Sequence, residues 1–253
     1  FEYLIDASGR SGLMANRYLR NRKYHQVFQN VAIWGYWKNT DRLATGREGD
    51  IAVSSIDNGW IWGIPLHDGT MSIGAVLHKN HLNANRGLAQ SEIYQNALQS
   101  SELMKRITKD AEMISTVSTE TDYSYSSDRY SGPGYFLIGD AACFLDPLLS
   151  SGIHLATFSA MIAAAGLTSY FAGEISETEM LSFFEKGYRQ AYLRFLVFLS
   201  AFYDINRSKE SYFWEAQRLT QEDVDASNLK MAFLNLVTGI RDLSDAQTNT
   251  HHY

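Results

Sequence analysis

The stretch Tyr135-Phe136-Leu137-Ile138-Gly139-Asp140 constrains the fold more than any other part of the chain. Four apolar residues in a row suit a short strand buried in a parallel sheet, and the aspartate sits at its carboxyl end. Ala141-Ala142-Cys143-Phe144-Leu145-Asp146-Pro147 then leads to Ser150-Ser151-Gly152 and a helix expected over about 152–171. That helix carries Ala156, Ala160, Ala163, Ala164 and Gly166, small residues that allow close approach to a sheet. In α/β sheets ligands bind outside the carboxyl ends of the strands. An ionised carboxylate there only accepts hydrogen bonds, which suits the hydroxyls of a ribose or ribityl chain. The backbone amides of Ser151, Gly152 and Ile153 lie at a helix start, where N–H groups and the helix dipole favour an anion or the oxygen-rich edge of a cofactor. A plainer reading stands beside this one: Asp140 caps a turn, and Ser150 or Ser151 caps the helix.

Phe1 to Asp6 reads as a buried strand already under way, with no initiating methionine. The expectation is a piece of a longer protein whose missing part lies upstream. Ala7-Ser8-Gly9-Arg10-Ser11-Gly12 suits the tight turn after that strand. Asp6-Ala7-Ser8-Gly9-Arg10 is thus a second strand-end carboxylate, and the two strand ends together describe the crevice a dinucleotide requires. Asp and Gly are also ordinary turn residues.

Residues 31–38, 50–56, 59–66 and 70–78 are rich in Val, Ile, Trp and Tyr, with breaks at Gly46, Asn58-Gly59 and Asp68-Gly69, and are expected to form an antiparallel sheet. Helical spacing follows over 88–108, then strands near 112–119 and 121–126. A long helix is expected near 176–204, with shorter ones near 209–219 and 227–240. Alternation sends Trp60, Trp62 and Ile64 to one face of their strand and Ile61, Gly63 and Pro65 to the other. Two indoles so spaced make a bulky wall, or the packed aromatic core of a sheet; the proline stops the ladder.

Lys and Arg total 22 against 28 Asp and Glu, with no basic block, so a nucleic-acid partner is not expected. The single cysteine, Cys143, excludes a disulfide framework and a Cys-rich metal site, and points to a reducing compartment. No apolar run of about 18 residues marks a membrane span.

Trp60-Ile61-Trp62-Gly63-Ile64-Pro65 is similar to the W-x-W-x-I-P signature of the flavin-dependent halogenases. Asp6-Ala7-Ser8-Gly9-Arg10 and Gly139-Asp140 resemble the second and third FAD motifs of the wider flavin monooxygenase-like family. The string from Gly139 to Ala156, and residues 188–214, resemble the branch acting on phenolic and carrier-bound substrates. Leu149 stands where tryptophan halogenases carry a Glu, which argues against free tryptophan as substrate.

The resemblance implies an α/β, FAD-binding Rossmann-like fold of the glutathione-reductase type, incomplete at its N-terminus. Residues 1–25 and 130–172 would belong to the FAD domain, 26–129 to an inserted antiparallel-sheet substrate domain with one helix, and 173–253 to a C-terminal helical region. FAD, used as FADH2, would lie against Asp6, Ser8, Gly9, Arg10, Gly139, Asp140, Pro147, Gly152 and Ile153. Chloride or bromide would sit at Ser151 and Gly152. Trp60, Trp62, Ile64 and Pro65 would partition flavin from substrate, and no metal is implied. With O2 the halide becomes an electrophile that halogenates an electron-rich aromatic, free or tethered to a carrier protein. A separate flavin reductase and a cytoplasmic location follow. The glycine-rich phosphate loop and the essential lysine are expected before residue 1, so neither Lys38 nor Lys79 is cast in that role. Alternatives are a flavin monooxygenase or oxidoreductase that keeps the halogenase frame, and a non-catalytic binding module. His154 reads as a packed histidine, Cys143 as a small apolar residue near the flavin, and His251 and His252 as no metal site. The aromatics at 183, 184, 188, 192, 195, 198, 202 and 203 fall on helical spacing, as core or as the lining of a substrate tunnel.

Overall fold

The computed structural model describes residues 1–25, 28–121 and 124–203, together with Asp242. The helices expected over 209–219 and 227–240, the side chains of Phe202 and Tyr203, and the pair His251 and His252 lie outside the described residues. The chain divides into two compact units, one built from Phe1–Tyr24 and Ser124 onward, the other from His25–Tyr123.

In the first unit Leu4–Asp6 runs parallel to Tyr135–Leu137, with Asp6 opposite Leu137, and Ser131–Gly132 pairs antiparallel on the other side. The two parallel strands therefore end together. Phe136 and Leu137 are fully buried, as an apolar central strand should be. Among the described strands Leu4–Asp6 lies at the edge of this sheet, with Leu4 and Ile5 37% and 47% exposed and Asp6 facing in. A second small sheet pairs Arg22–Tyr24 and Cys143–Phe144 on either side of Tyr125–Ser127. The strand expected at 121–126 is Tyr125–Ser127, and it packs in this unit.

Among the described residues this unit also carries two long helices, Gly152–Phe171 and Glu177–Tyr203. Gly173 turns the chain between them at a φ of 74°. Ser176 and Glu179 then exchange hydrogen bonds as a capping box: the Ser176 amide donates to the Glu179 carboxylate at 2.8 Å and the Glu179 amide to Ser176 Oγ at 3.3 Å. Phe184, Tyr188, Tyr192 and Phe195 are buried, and Phe184 meets Phe136 edge-on at 4.8 Å. Each such ring contributes roughly 1.5–3 kcal/mol by leaving water, so this stripe is core. The row of small residues splits. Ala163 and Gly166 are buried, with Gly166 under Met180 and Ala156 against Gly139, while Ala160 and Ala164 are exposed. Against the expectation of no membrane-length run, Gly152–Phe171 is long and apolar enough to cross a membrane by length and composition. Here Leu155, Phe158 and Ile162 on it are core residues.

The second unit is a six-stranded antiparallel sheet in the order Ala52–Ile56, Gly59–Pro65, Met71–His78, Asn30–Lys38, Glu112–Met113, with Ser118–Thr121 also pairing with Asn30–Lys38. The run expected at 112–119 is therefore two short strands. The first hairpin turns on Asp57-Asn58, and Gly59 already pairs with Ile56. Val31, Ile33, Ile61, Ile73 and Leu77 join Ile93, Tyr94, Leu98, Met104 and Ile107 in one core. The single helix expected over 88–108 is two, Gln90–Gln99 and Glu102–Ile107, preceded by a short Lys79–Ala84. The break falls at Ser100-Ser101 because Ser101 Oγ caps the second helix, accepting from the Met104 amide at 3.3 Å, and also bonds Ser54 Oγ at 2.7 Å.

Candidate active site: two strand ends and a helix start

At the end of Tyr135–Leu137 the chain turns at Gly139 with a φ of 54°. A Cβ there would lie 3.2 Å from the Cβ of Ala156, so both the conformation and the packing call for glycine. The turn is pinned by both helices. The Gly139 amide donates to Ser159 Oγ at 3.0 Å, and Tyr188 donates its hydroxyl proton to the Gly139 carbonyl at 3.0 Å. Asp140 follows, and its backbone carbonyl accepts from the Tyr125 hydroxyl at 2.7 Å. Among the described residues its carboxylate has no hydrogen-bond partner. Burial pushes that carboxyl above its usual range, and Arg10 and Arg22 nearby offset part of the rise. The plain turn-capping role is not what this side chain does.

Asp6 is the reverse case. It is 5% exposed, and its two oxygens accept from the amides of Ser8 at 2.9 Å and Met14 at 2.7 Å. Burial alone would raise its carboxyl, but bonds from Ser8 and the Met14 amide win and hold it below the usual value. Ser8 Oγ in turn accepts from the Leu13 amide at 2.9 Å, and Gly9 takes a φ of 62°. The Asp6–Ser8 pair is thus the internal scaffold of its loop, which presents Gly9 and Arg10. Backbone pairing carries the strand ends together, since the Ile138 amide donates to the Asp6 carbonyl at 3.0 Å.

Sequence reasoning missed Arg22. Its guanidinium donates to the Arg10 carbonyl at 2.6 Å and to the Ala141 and Asp140 carbonyls at 3.2 and 3.4 Å. It also stacks 3.8 Å over the Tyr125 ring. A Cβ on Gly12 would fall 1.9 Å from its Nη2, so glycine at that position makes room for it. One side chain therefore ties the 9–12 turn to the 139–141 turn. A basic residue in an ordinary short strand carries no local signal of such a role.

Further along, Asp146 Oδ1 accepts from the Leu148 amide at 3.0 Å, with Pro147 opening a short 3₁₀ turn. Ser150 ends it in the left-handed region, φ 50°, a conformation that costs a non-glycine residue of order 1 kcal/mol. Ser151 is buried and its side chain makes no capping bond to the helix that starts at Gly152. Ser151 does not cap the helix, and among the described residues no side chain accepts from its first amides. The Cβ that Gly152 lacks would meet Phe144 at an ordinary 3.5 Å. Ile153 is 82% exposed, so its side chain is not part of the core at this turn.

In the second unit Trp60 and Trp62 share the strand face opposite Ile61 and Gly63, as alternation requires, with rings 5.7 Å apart. Trp60 is buried, Trp62 and Ile64 half-buried, and Pro65 pairs with Met71 at the strand end. Trp62 lies across Gly74, whose missing Cβ would sit 2.1 Å from the indole, and donates to Ser72 Oγ at 3.3 Å. The indole pair is outside the core that Ile61 joins.

Cys143 is buried beside Tyr130 and Tyr188, its thiol pushed up to about 12 mainly by burial, and behaves as a small apolar residue at neutral pH. Lys38 pairs with Glu112 at 2.9 Å. No cluster of three metal-ligating side chains occurs among the described residues.

The donor set fits a flavin dinucleotide and a small anion. An unspent strand-end carboxylate suits ligand hydroxyls, and uncapped amides at a long helix suit negative charge. Comparison with known proteins leads the same way. The family model described as tryptophan halogenase matches residues 1–247. A tryptophan 2-halogenase of Chondromyces crocatus is 46% identical over 98% of this chain and 49% of its own length. The flavin-dependent halogenase ascD of Acremonium egyptiacum is 35% identical, over 98% of this chain and 45% of its own. The chain thus spans about half the length of these relatives. Among solved structures, the myxobacterial chondrochloren halogenase CndH superposes with a TM-score of 0.74 at 34% identity, covering 94% of this chain and 55% of its own. The flavin-dependent halogenase CmlS gives 0.74 at 31%, covering 90% and 42%.

Proposed function

The chain belongs to the tryptophan halogenase family of flavin-dependent halogenases, and from that premise we propose that it serves an enzyme that halogenates an electron-rich aromatic ring. The observation that carries the reading is the pairing of Asp140, whose carboxylate is unspent among the described residues, with the uncapped helix start at Gly152. Asp140 would accept from hydroxyls of FAD, steadied by the Arg10 loop and by Gly139. The amides of Gly152 and Ile153, with the hydroxyl of Ser151, would hold chloride or bromide. Pro147 and the left-handed Ser150 shape the approach to that turn. Reduced FAD, when bound, would give two electrons to O2, and the halide would give two more and so become the electrophile. For Trp60, Trp62, Ile64 and Pro65 the proposed partition of flavin from substrate rests on their signature. Asp6 and Ser8 contribute by building the loop that presents Gly9 and Arg10.

A separate flavin reductase and a cytoplasmic setting belong to this reading, the latter in keeping with the single buried thiol of Cys143. The substrate we favour is a phenolic ring, free or on a carrier protein, because Leu149 replaces the Glu of the tryptophan enzymes. Free tryptophan is the second reading, favoured by the name of the relative at 46% identity. Full-length protein supplied with a flavin reductase, NADH, FAD, air and bromide tests both against phenols, carrier-bound phenols and tryptophan. Mass spectrometry should reveal a monobrominated ring with its isotope doublet. Hydroxylated product formed without halide would establish a monooxygenase instead, and bound FAD with no product at all a binding module.

A further inference from the structure

Among the described residues a buried charged cluster lies outside the site, unused by the proposed chemistry. Asp242 is 3% exposed. Its Oδ2 lies 2.8 Å from His154 Nε2, 88 positions away in the chain, and its Oδ1 accepts from Arg194 Nη1 at 2.5 Å. His154 sits on the first turn of Gly152–Phe171, Arg194 on Glu177–Tyr203. The imidazole is sandwiched as well, stacked on Phe158 at 5.9 Å and tilted against Phe195 at 5.7 Å. Among the described residues the first turn of this helix has no side-chain cap, and the residue before its N-cap is held at a positive φ. The Leu155 amide closes the turn on the Ser151 carbonyl at 2.9 Å, and His154 is the hydrogen-bonded side chain nearest to the first amides in sequence.

We propose that Asp242 and His154 are positioning residues: Arg194 fixes the Asp242 carboxylate, the carboxylate fixes the imidazole, and the imidazole locks the first helical turn so that the Gly152 and Ile153 amides point in one direction. The inference rests on the halide role proposed for that turn. A buried carboxylate held by a guanidinium is a rigid acceptor, and orientation of a ring by a carboxylate behind it is how proteins commonly fix imidazoles. Prearranged amides bind an anion without first having to be ordered.

Two variants of the full-length, FAD-loaded protein separate hydrogen bonding from packing. His154→Phe keeps the aromatic stack and removes the nitrogen; His154→Gln places an amide N–H near the lost Nε2. In His154→Phe, amide exchange at 152–155 should rise about tenfold or more while the buried middle of Glu177–Tyr203 stays protected. The KM for bromide should rise several-fold with kcat nearly unchanged. His154→Gln should restore most of both. If His154→Phe does not fold, Arg194→Met, which removes the anchor behind Asp242, carries the same expectation. Unchanged exchange and KM would overturn the proposal, as would faster exchange spread evenly over both helices, which marks a packing role alone. Local loosening rescued by Gln, in a protein that shows no halide-dependent product even as wild type, would support the positioning and overturn the halogenase reading.

Discussion

Replacing Arg22 by methionine tests how the site is held together. Methionine keeps most of the apolar stem and removes every donor. The 2.6 Å bond to the Arg10 carbonyl is charge-assisted and contributes roughly 1.5–3 kcal/mol. The Nη2 group is shared between carbonyls at 3.2 and 3.4 Å, long enough to add only about 0.5–1 kcal/mol. Stacking 3.8 Å over Tyr125 adds about 0.5–1 kcal/mol at a half-exposed site. Because Arg22 is half-buried, the lower part of the sum applies, about 2–3 kcal/mol. The bonds join the 9–12 turn to the 139–141 turn, so their loss falls on the arrangement that FAD needs. At 1.4 kcal/mol per decade, FAD affinity should fall between about 30-fold and 150-fold. Arg22→Lys, which can keep only one of the carbonyl bonds, should fall between the variant and wild type. Flavin fluorescence titration of the full-length protein measures the effect, with hydrogen exchange at 9–12 and 139–142 as the structural readout. An Arg22→Met protein that binds FAD within twofold of wild type, with both turns equally protected, would show that Arg22 does not hold the two turns together for FAD.

Three further outcomes follow from the same geometry. Asp140→Asn should leave the stability of FAD-free protein unchanged or slightly raised near pH 7, because burial already disfavours the charged carboxylate. It should nevertheless weaken FAD by roughly ten- to a hundredfold through loss of a charged acceptor; calorimetry of free and loaded protein shows both. Gly152→Ala should leave the melting temperature nearly unchanged, since the new methyl meets Phe144 at an ordinary 3.5 Å and the position is the first of its helix, outside the interior where alanine's advantage of about 1 kcal/mol applies. The added methyl should still raise the KM for bromide, measured by steady-state bromination. Asp6 has a depressed folded pKa, so its stabilisation is fully present above the unfolded value near 3.9 and is lost as pH falls through the folded one. Acid unfolding of Asp6→Ala, which strands the Ser8 and Met14 amides, should start from a state less stable by about 2–4 kcal/mol at pH 7 and show a shallower pH dependence below pH 4.

Local chemistry made part of this protein legible in its sequence. Tyr135-Phe136-Leu137-Ile138 is apolar throughout, Gly139 and Asp140 mark its end, and the helix after Ser151 begins where the glycine suggests. The antiparallel sheet was visible in its turns, and alternation placed Trp60 and Trp62 on the face that Ile61 avoids. What failed depended on partners far along the chain or on competition between side chain and backbone. Ser101 broke a helix because its hydroxyl found Met104 and Ser54. Asp6 and Asp140 looked equivalent, yet one spends both oxygens on its own loop and the other spends none among the described residues. Arg22 meets Asp140 across 118 positions, and nothing in a local window announces that.

Anomalous diffraction from crystals of the full-length protein soaked with FAD and bromide bears most directly on the proposed site. A bromide peak should lie within about 3.5 Å of the Gly152 or Ile153 amide nitrogen, with a flavin hydroxyl donating to Asp140. Bromide bound elsewhere, or a flavin that leaves Asp140 untouched, would contradict it.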